Sequence, residues 1–252
     1  MRAALRLVGM LALAALALQV FFLLRIALML VVAPESTTFQ RSEKWRIDNE
    51  KHVLPWAQES VPRDRLSDNL RRAVIASEDA GFVEHHGVEW DAIEKAWSKN
   101  QKAEARAEAQ ASRLATRKGT DPNARPRIVA KVIGGSTISQ QLAKNLFLSG
   151  ERTILRKGEE FVITLMLEAV LGKDRILTTY LNNVEWGEGV FGAQAAARHY
   201  FHTDAARLGA SQAARLAVML PAPKRFEKQP ASAYVLGRSA TIVARMGGVD
   251  LP

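Results

Sequence analysis

Hydrophobic positions are concentrated at the start of the chain. Leu7–Leu24 is a run of 18 residues without a charge, and Gln19 is the one polar side chain in it. After Arg25 the apolar run resumes as far as Ala33. A helix over this stretch would measure about 40 Å, and the hydrocarbon core of a bilayer is about 30 Å thick. The pattern therefore predicts a membrane anchor in residues 1–33, with Arg25 reaching one interface.

The charges around this segment leave two questions open. Arg2 and Arg6 precede the apolar run, as in a cleaved signal peptide. The run is longer than an ordinary signal core and lacks a clear small-residue cleavage site, so we prefer an uncleaved anchor. More cations lie between residues 41 and 51 than before the run. The positive-inside rule therefore does not decide in which direction the segment crosses the membrane.

Beyond the anchor the hydrophobic spacing is helical. The polar stretch over residues 34–60 predicts a juxtamembrane linker, and residues 61–252 are enough for one domain with a sizeable core. Apolar residues recur there at three- and four-residue intervals, and alternating strand patterns are scarce, so we predict a mainly α fold. The predicted helical stretches are Leu66–Ser77, Ile138–Leu148, Ile154–Leu171, Arg175–Asn182, Ala193–Tyr200 and Ser211–Leu220.

Composition and charge exclude several classes of protein. The chain has no cysteine and is 48% hydrophobic, which excludes a disordered chain, a disulfide scaffold, thiol catalysis and a cysteine-ligated metal site. The formal net charge is +9, and the excess is concentrated between Lys95 and Lys131. We interpret this segment as a solvated surface helix and loop, or alternatively as a surface attracted to anionic lipid. No nucleic-acid-binding motif accompanies it, so nucleic acid is not an expected partner.

The first candidate for chemistry is Glu78, which follows Val74 by one helical turn. This spacing places a carboxyl beside the apolar face, where loss of hydration should raise its pKa and suit it to proton transfer. An exposed glutamate at a helix end is the alternative. His85 and His86 follow, and because adjacent histidines do not both face one metal, we predict a structural role for them near the turn before Gly87.

The second candidate is the sequence GGSTISQQLAKN, from Gly134 to Asn145. Thr137 and Gln140 have the spacing of a capping box, and the helix that begins there should carry free backbone N–H groups that suit an anion. Gln140 and Lys144 are four residues apart, which predicts that an amide and an ammonium share one helix face. The segment lacks the spacing of a phosphate-binding P-loop.

The third candidate is a helical stripe formed by Arg152, Arg156 and Glu160 at intervals of four residues. The two arginines repel each other unless an anion or Glu160 offsets their charge, and a phosphate group would do so. A surface ladder of ion pairs is the alternative. The fourth conspicuous segment, Lys173–Asn182, is predicted to be mainly architectural.

These segments together carry a resemblance to a known family. E-D-x-x-F-x-x-H-x-G (Glu78–Gly87), GGSTISQQLAKN (Gly134–Asn145), R-K-x-x-E (Arg156–Glu160) and K-x-x-I-L-x-x-Y-L-N (Lys173–Asn182) match, in order, the motifs of the peptidoglycan glycosyltransferases. The resemblance covers about Leu66 to Arg225 and is closest to the monofunctional members of the family. It implies a lysozyme-like glycosyltransferase domain with two lobes and a cleft between them.

The resemblance also implies a reaction and the residues that perform it. The reaction is inverting polymerisation of lipid II into linear glycan strands, with release of undecaprenyl diphosphate. Glu78 matches the general base, and Glu160 matches the second carboxylate of the family. We assign Glu160 to orienting the donor site and its cations, and the sequence leaves open whether it also helps to activate a nucleophile. Diphosphate-holding positions are matched by Lys144 and Arg152, with Arg156 and Lys157 close by. The positions carried over as cleft-lining are Asp79, Phe82, Ser136, Thr137, Gln140, Gln141 and Asn145.

The expected partners and location follow from that reaction. They are lipid II, the growing glycan chain, membrane lipid and, less specifically, cell-division or elongation proteins. The resemblance implies a single-pass protein of the cytoplasmic (inner) membrane with its catalytic domain in the periplasm. The sequence requires no cofactor and predicts no metal site, although it leaves open a divalent cation that assists the diphosphate.

Two other classes of function are weighed against this one. A lytic transglycosylase or lysozyme-like hydrolase shares the fold and one catalytic glutamate, but it cleaves finished glycan and has no use for a cationic diphosphate site. A non-catalytic membrane scaffold would only bind cell-wall partners. For the scaffold, exchange of Glu78 for Gln should leave activity in cells unchanged.

Overall fold

The computed structural model describes residues 1–52, 55–118, 135–148, 150–151 and 153–252. At positions 92, 95, 96, 100 and 110–118 it describes the helical backbone only. The described chain divides into two compact units. Residues 1–87 and 137–252 form the first unit, and residues 88–136 belong to the second.

The N-terminal apolar run forms helix α1, Arg2–Leu28, which is long and apolar enough to cross a membrane. Its first two-thirds are almost fully exposed, whereas Phe22 and Ile26 are buried against the rest of the unit. The Phe22 ring lies 5.3 Å from that of Phe147 between centroids. The Gln19 side chain donates a hydrogen bond of 2.7 Å to the Glu159 carboxylate. The end of the predicted anchor is therefore part of the folded domain.

The stretch predicted as a linker contains a second helix, α2, Thr38–Lys51. Thr37 and Gln40 form a capping box at its start, and Ile47 is fully buried. Apart from Phe39, Trp45 and Ile47 its side chains are polar or charged, so the sequence shows no wide apolar face. Within the predicted linker, residues 38–51 therefore form a helix that packs on the helix Ile138–Phe147.

Five helices build the core of the first unit: α3 (Asp68–Glu78), α5 (Ile138–Phe147), α6 (Ile154–Asn183), α8 (Ala210–Met219) and α10 (Ala233–Met246). Helix α5 packs on α6, and α3 and α10 both pack on α8. Gly172 interrupts α6 with a φ of 69°, a conformation that favours glycine, so the two helical patterns predicted on either side of it are confirmed as two segments. Helix α10 was not predicted.

A small sheet and shorter helices complete the first unit. Strands β1 (Ala57–Gln58), β2 (Glu185–Gly187) and β3 (Val190–Phe191) are ordered β1-β3-β2, and β3 is parallel to β1 and antiparallel to β2. Helices α7 (Ala193–Phe201) and α9 (Pro223–Phe226) and the 3₁₀ turns Arg63–Arg65 and Ala205–Arg207 connect the larger elements.

The second unit contains helix α4, Trp90–Lys118, which covers the first part of the basic segment. Trp90, Ile93 and Trp97 are exposed on it. A helix is thus confirmed as far as residue 118, with most of its described side chains exposed, and the segment from 119 to 131 lies outside the described residues.

Candidate active site

Glu78 is the last residue of α3 and lies half-buried at its C-terminal end. The Gln141 side-chain amide on α5 donates a hydrogen bond of 3.1 Å to Glu78 Oε2. Burial raises the pKa of Glu78; hydrogen bonds from Gln141 and Ser77 oppose this, and the Asp79 charge adds to it. No described residue forms an ion pair with Glu78. The predicted rise in pKa is confirmed in direction, and such a carboxyl can accept a proton near neutral pH.

Tyr180, on the second segment of α6, determines how Gln141 is oriented. Its hydroxyl donates to Gln141 Oε1 at 2.8 Å, so the amide nitrogen is the end that faces Glu78. Tyr180 is buried, and burial, followed by the charges of Glu78 and Asp79, raises its pKa well above the usual value. The phenol therefore stays a donor. Sequence reasoning assigned Tyr180 to architecture only, because nothing local connects it to Glu78.

Asp79 directly follows α3, and its carboxylate lies at the N-terminus of α5. Its Oδ2 accepts a hydrogen bond of 2.9 Å from the Ile138 backbone N–H, and His85 Nε2 lies 2.8 Å from its Oδ1. His85 Nδ1 also accepts from the Gly87 backbone N–H, which agrees with the structural role predicted for this histidine. The predicted anion at this helix end is therefore the protein's own carboxylate. The expectation that this terminus suits an anion therefore holds for an internal carboxylate.

The capping box at the start of α5 is confirmed. Thr137 Oγ1 accepts from the Gln140 backbone N–H and Gln140 Oε1 accepts from the Thr137 backbone N–H, both at 3.2 Å. Thr137 Oγ1 also donates to the Gly87 carbonyl at 2.6 Å. Gln140 and Lys144 are one turn apart on α5 as predicted, but the Gln140 side chain is buried in this cap and Lys144 is exposed.

A cationic cluster lies on α5 and the first segment of α6. Glu160 is buried, pairs with Arg156 Nη1 at 2.7 Å through Oε2 and pairs with Lys157 Nζ through Oε1. Lys144 is exposed at the surface, yet the protein around its ammonium desolvates it and lowers its pKa; Glu160 opposes this shift, and Arg156 and Lys157 reinforce it. Because Glu160 is buried, the arrangement is not the surface ion-pair ladder that the sequence allowed.

The other predicted site residues have mixed placements. Phe82 is fully buried, with Lys173 Nζ 4.6 Å from its ring centroid, so it packs in the core and offers no surface to a substrate. Asn145 is buried on α5, and Ser136 is half-buried in the second unit. Arg152 lies outside the described residues.

The architectural role predicted for Lys173–Asn182 is confirmed at both ends. The Asn182 amide exchanges two hydrogen bonds with the Val61 backbone, of 3.0 and 2.8 Å. Lys173 pairs with Glu168 at 2.7 Å. These contacts hold the second segment of α6, and with it Tyr180, in position.

The first unit thus contains two carboxylates with different capacities. Glu78 is desolvated and contacted by neutral donors, which suits it to accept a proton. Glu160 holds Arg156 and Lys157 in place beside Lys144. These three cations suit the cluster to bind an anion or a leaving group that gains negative charge.

Comparison with known proteins gives a consistent picture. A family model described as Transglycosylase matches residues 53–118 and 112–247. The biosynthetic peptidoglycan transglycosylase of Burkholderia orbicola (strain MC0-3) is 49% identical over 237 residues, which is 94% of this chain and 86% of the relative. That of Burkholderia thailandensis is 48% identical over 244 residues, 97% of this chain and 86% of the relative. These matches confirm the resemblance and the mainly α, lysozyme-like fold class. The chain belongs to the transglycosylase family.

Proposed function

We propose that this protein polymerises lipid II into linear glycan strands by inverting transfer, with Glu78 as the general base. Family membership makes the chain an enzyme of peptidoglycan synthesis, a peptidoglycan glycosyltransferase. The observation that carries the finer proposal is the contrast between Glu78, desolvated and hydrogen-bonded to Gln141, and the cationic cluster around Glu160.

The Glu78 carboxylate takes the proton from the 4-hydroxyl of the acceptor's N-acetylglucosamine. The hydroxyl oxygen attacks the anomeric carbon of the donor's N-acetylmuramic acid from the face opposite the leaving group, which inverts the configuration. The bond between that carbon and the diphosphate oxygen breaks, and its electron pair leaves with the lipid diphosphate. A raised pKa makes Glu78 a better proton acceptor than an exposed glutamate at neutral pH.

The cationic cluster stabilises the charge that develops on the leaving diphosphate. Lys144, Arg156 and Lys157 supply this charge, and Glu160 holds the last two in position. The family motif assigns the same role to Arg152, which lies outside the described residues. A diphosphate is already a good leaving group, so one base is chemically sufficient.

The lipid carrier gives helix α1 a direct role. A substrate that carries an undecaprenyl chain stays in the membrane, and an enzyme anchored by α1 works on the same surface. We place the protein in the cytoplasmic membrane with the folded domain on the outer, periplasmic side, where glycan strands are assembled.

The experiment that tests the proposal uses purified full-length protein in detergent with labelled lipid II. Wild type is compared with Glu78→Gln and with Glu84→Gln, a matched control at an exposed glutamate nearby. We expect muramidase-sensitive polymer from wild type and from the control only. Full polymerisation by Glu78→Gln would overturn the assignment of the base. Release of reducing or anhydro sugar from preformed glycan, without polymer from lipid II, would instead support the degradative alternative.

A further inference from the structure

A cavity of about 360 Å³ lies at the junction between the anchor and the folded domain. Val31, Ala33 and Pro34, directly after α1, form one side of it, and the second segment of α6 forms another. None of the residues of the Glu78 and Glu160 clusters lines it. The cavity is therefore a separate feature, formed where the chain leaves the membrane.

The charges around this cavity favour an anion. Arg63 and Arg175 line it together with a single carboxylate, Asp174. Asp174 is already paired with Arg63 at 2.5 Å and with Arg71 at 2.7 Å, so its charge is more than balanced. Arg175 uses Nε to donate to the Met29 carbonyl at 2.9 Å, which leaves the two terminal nitrogens of its guanidinium for other acceptors.

A buried hydroxyl provides an independent indication of a ligand. Thr178 lines the cavity and is only 9% exposed, and within the described part of the chain its Oγ1 has no hydrogen-bond partner. A buried polar atom without a partner costs about 1–3 kcal/mol, so such atoms are usually paired with another protein group, an ordered water or a ligand. A hydroxyl and two guanidinium groups on residues that line one cavity form a donor set that matches phosphate oxygens.

The position of the cavity indicates which molecule would supply the phosphate group. Residues that directly follow a membrane-spanning helix lie at the depth of the lipid headgroups, and Val31 and Val32 are exposed there. Basic pockets at this depth bind the headgroups of anionic lipids. We propose that this juxtamembrane cavity binds the phosphate of an anionic phospholipid, with Arg63, Arg175 and Thr178 as its ligands. A lipid held there would fix the height of the catalytic domain above the bilayer.

Native mass spectrometry of the full-length protein in detergent tests this proposal. Short-chain phosphatidylglycerol, short-chain phosphatidylcholine and inorganic phosphate are titrated separately. We expect wild type to retain phosphatidylglycerol in preference to the other two. Arg63→Gln should weaken its binding by about fivefold, the effect of one cation at an anionic surface. Arg65→Gln is the matched control, because it removes the same charge from the same 3₁₀ turn at a residue that does not line this cavity.

Thr178→Val tests the hydroxyl without altering charge or shape. It should weaken phosphatidylglycerol binding by about three- to tenfold through the loss of one hydrogen bond to a charged group. Equal losses in Arg63→Gln and Arg65→Gln, together with unchanged binding in Thr178→Val, would overturn the site. Retention of phosphatidylcholine or of inorganic phosphate as strong as that of phosphatidylglycerol would overturn the choice of an anionic lipid. If Arg63→Gln does not fold, Thr178→Val decides alone.

Discussion

Glu78 and Glu160 are two glutamates of one folded unit with opposite surroundings. Glu78 is desolvated and receives hydrogen bonds from Gln141 and Ser77, with no ion pair from any described residue. Glu160 is more deeply buried but is paired with Arg156 and Lys157. The difference shows that burial alone does not define a base. Neutral donors leave a carboxylate able to take a proton, whereas paired cations turn a carboxylate into a support for positive charge.

The most severe test of this comparison is Glu78→Gln. We expect kcat for polymerisation to fall by about 10²–10⁴-fold, because proton transfer by a positioned base contributes that much. The melting temperature should stay equal or rise, since the substitution removes a desolvated charge from the fold. Initial rates with labelled lipid II and thermal unfolding of the same preparation measure both quantities. A large loss of thermal stability would show that Glu78 is structural instead.

Glu160→Gln, unlike Glu78→Gln, should lower the stability of the fold. It leaves Arg156 and Lys157 without their partner, which we expect to lower the free energy of unfolding by about 2 kcal/mol, a figure reduced for the partial exposure of Lys157. Misplaced cations should also lower kcat, because they stabilise charge that develops on the leaving diphosphate, and raise KM for lipid II by about tenfold. Thermal unfolding and steady-state kinetics measure these effects. Unchanged stability combined with loss of kcat alone would assign Glu160 a direct chemical role.

Gln141→Leu sharpens the comparison through the pH profile. The Gln141 hydrogen bond favours the carboxylate and so lowers the pKa of Glu78, and its loss should raise that pKa further. The acidic limb of kcat/KM therefore moves to higher pH, and rates on that limb fall by about tenfold. Tyr180→Phe, which leaves Gln141 in place, should move the limb less in the same direction. A shift toward lower pH, or an unchanged limb, would contradict the proposed base.

Glu185 gives the smallest expected effect and tests whether a raised pKa alone makes a catalytic group. Burial raises its pKa from 4.5 to about 7, against the opposing charge of Lys224. The folded state thus binds this proton more tightly than the unfolded chain does, so the free energy of unfolding falls as pH rises from 4.5 toward about 7 and stays low above it.

Glu185→Gln removes this dependence. Relative to wild type, we expect its melting temperature to be higher by about 4 °C at pH 8 and unchanged near the unfolded pKa. Polymerisation at neutral pH should stay within about twofold of wild type, since a buried carboxyl acts as a base only within hydrogen-bond reach of the proton that it takes. Scanning calorimetry at two pH values and the lipid II assay measure this. Loss of polymerisation in Glu185→Gln with intact folding would contradict the view that a raised pKa alone does not make a group catalytic.

Features set by short spacing could be predicted from the sequence. The capping box of Thr137 and Gln140 and the pair of Arg156 and Glu160 each depend on residues three or four positions apart. Contacts across the fold could not be predicted. The Tyr180–Gln141 hydrogen bond spans 39 residues and the bond from Ile138 to Asp79 spans 59, and no local pattern encodes either. Helix α2 was missed because its apolar face is very narrow.

The docking of α1 has a consequence for how this protein can be engineered. Gln19, Phe22 and Ile26 are contacts of the folded domain as much as parts of a hydrophobic segment. Exchange of the whole segment for an unrelated membrane helix of equal hydropathy would preserve insertion and remove these contacts. Only the part of the anchor before Gln19 can therefore be exchanged for another membrane helix. A fusion protein that retains residues 19–33 keeps the surface of α1 that contacts α6.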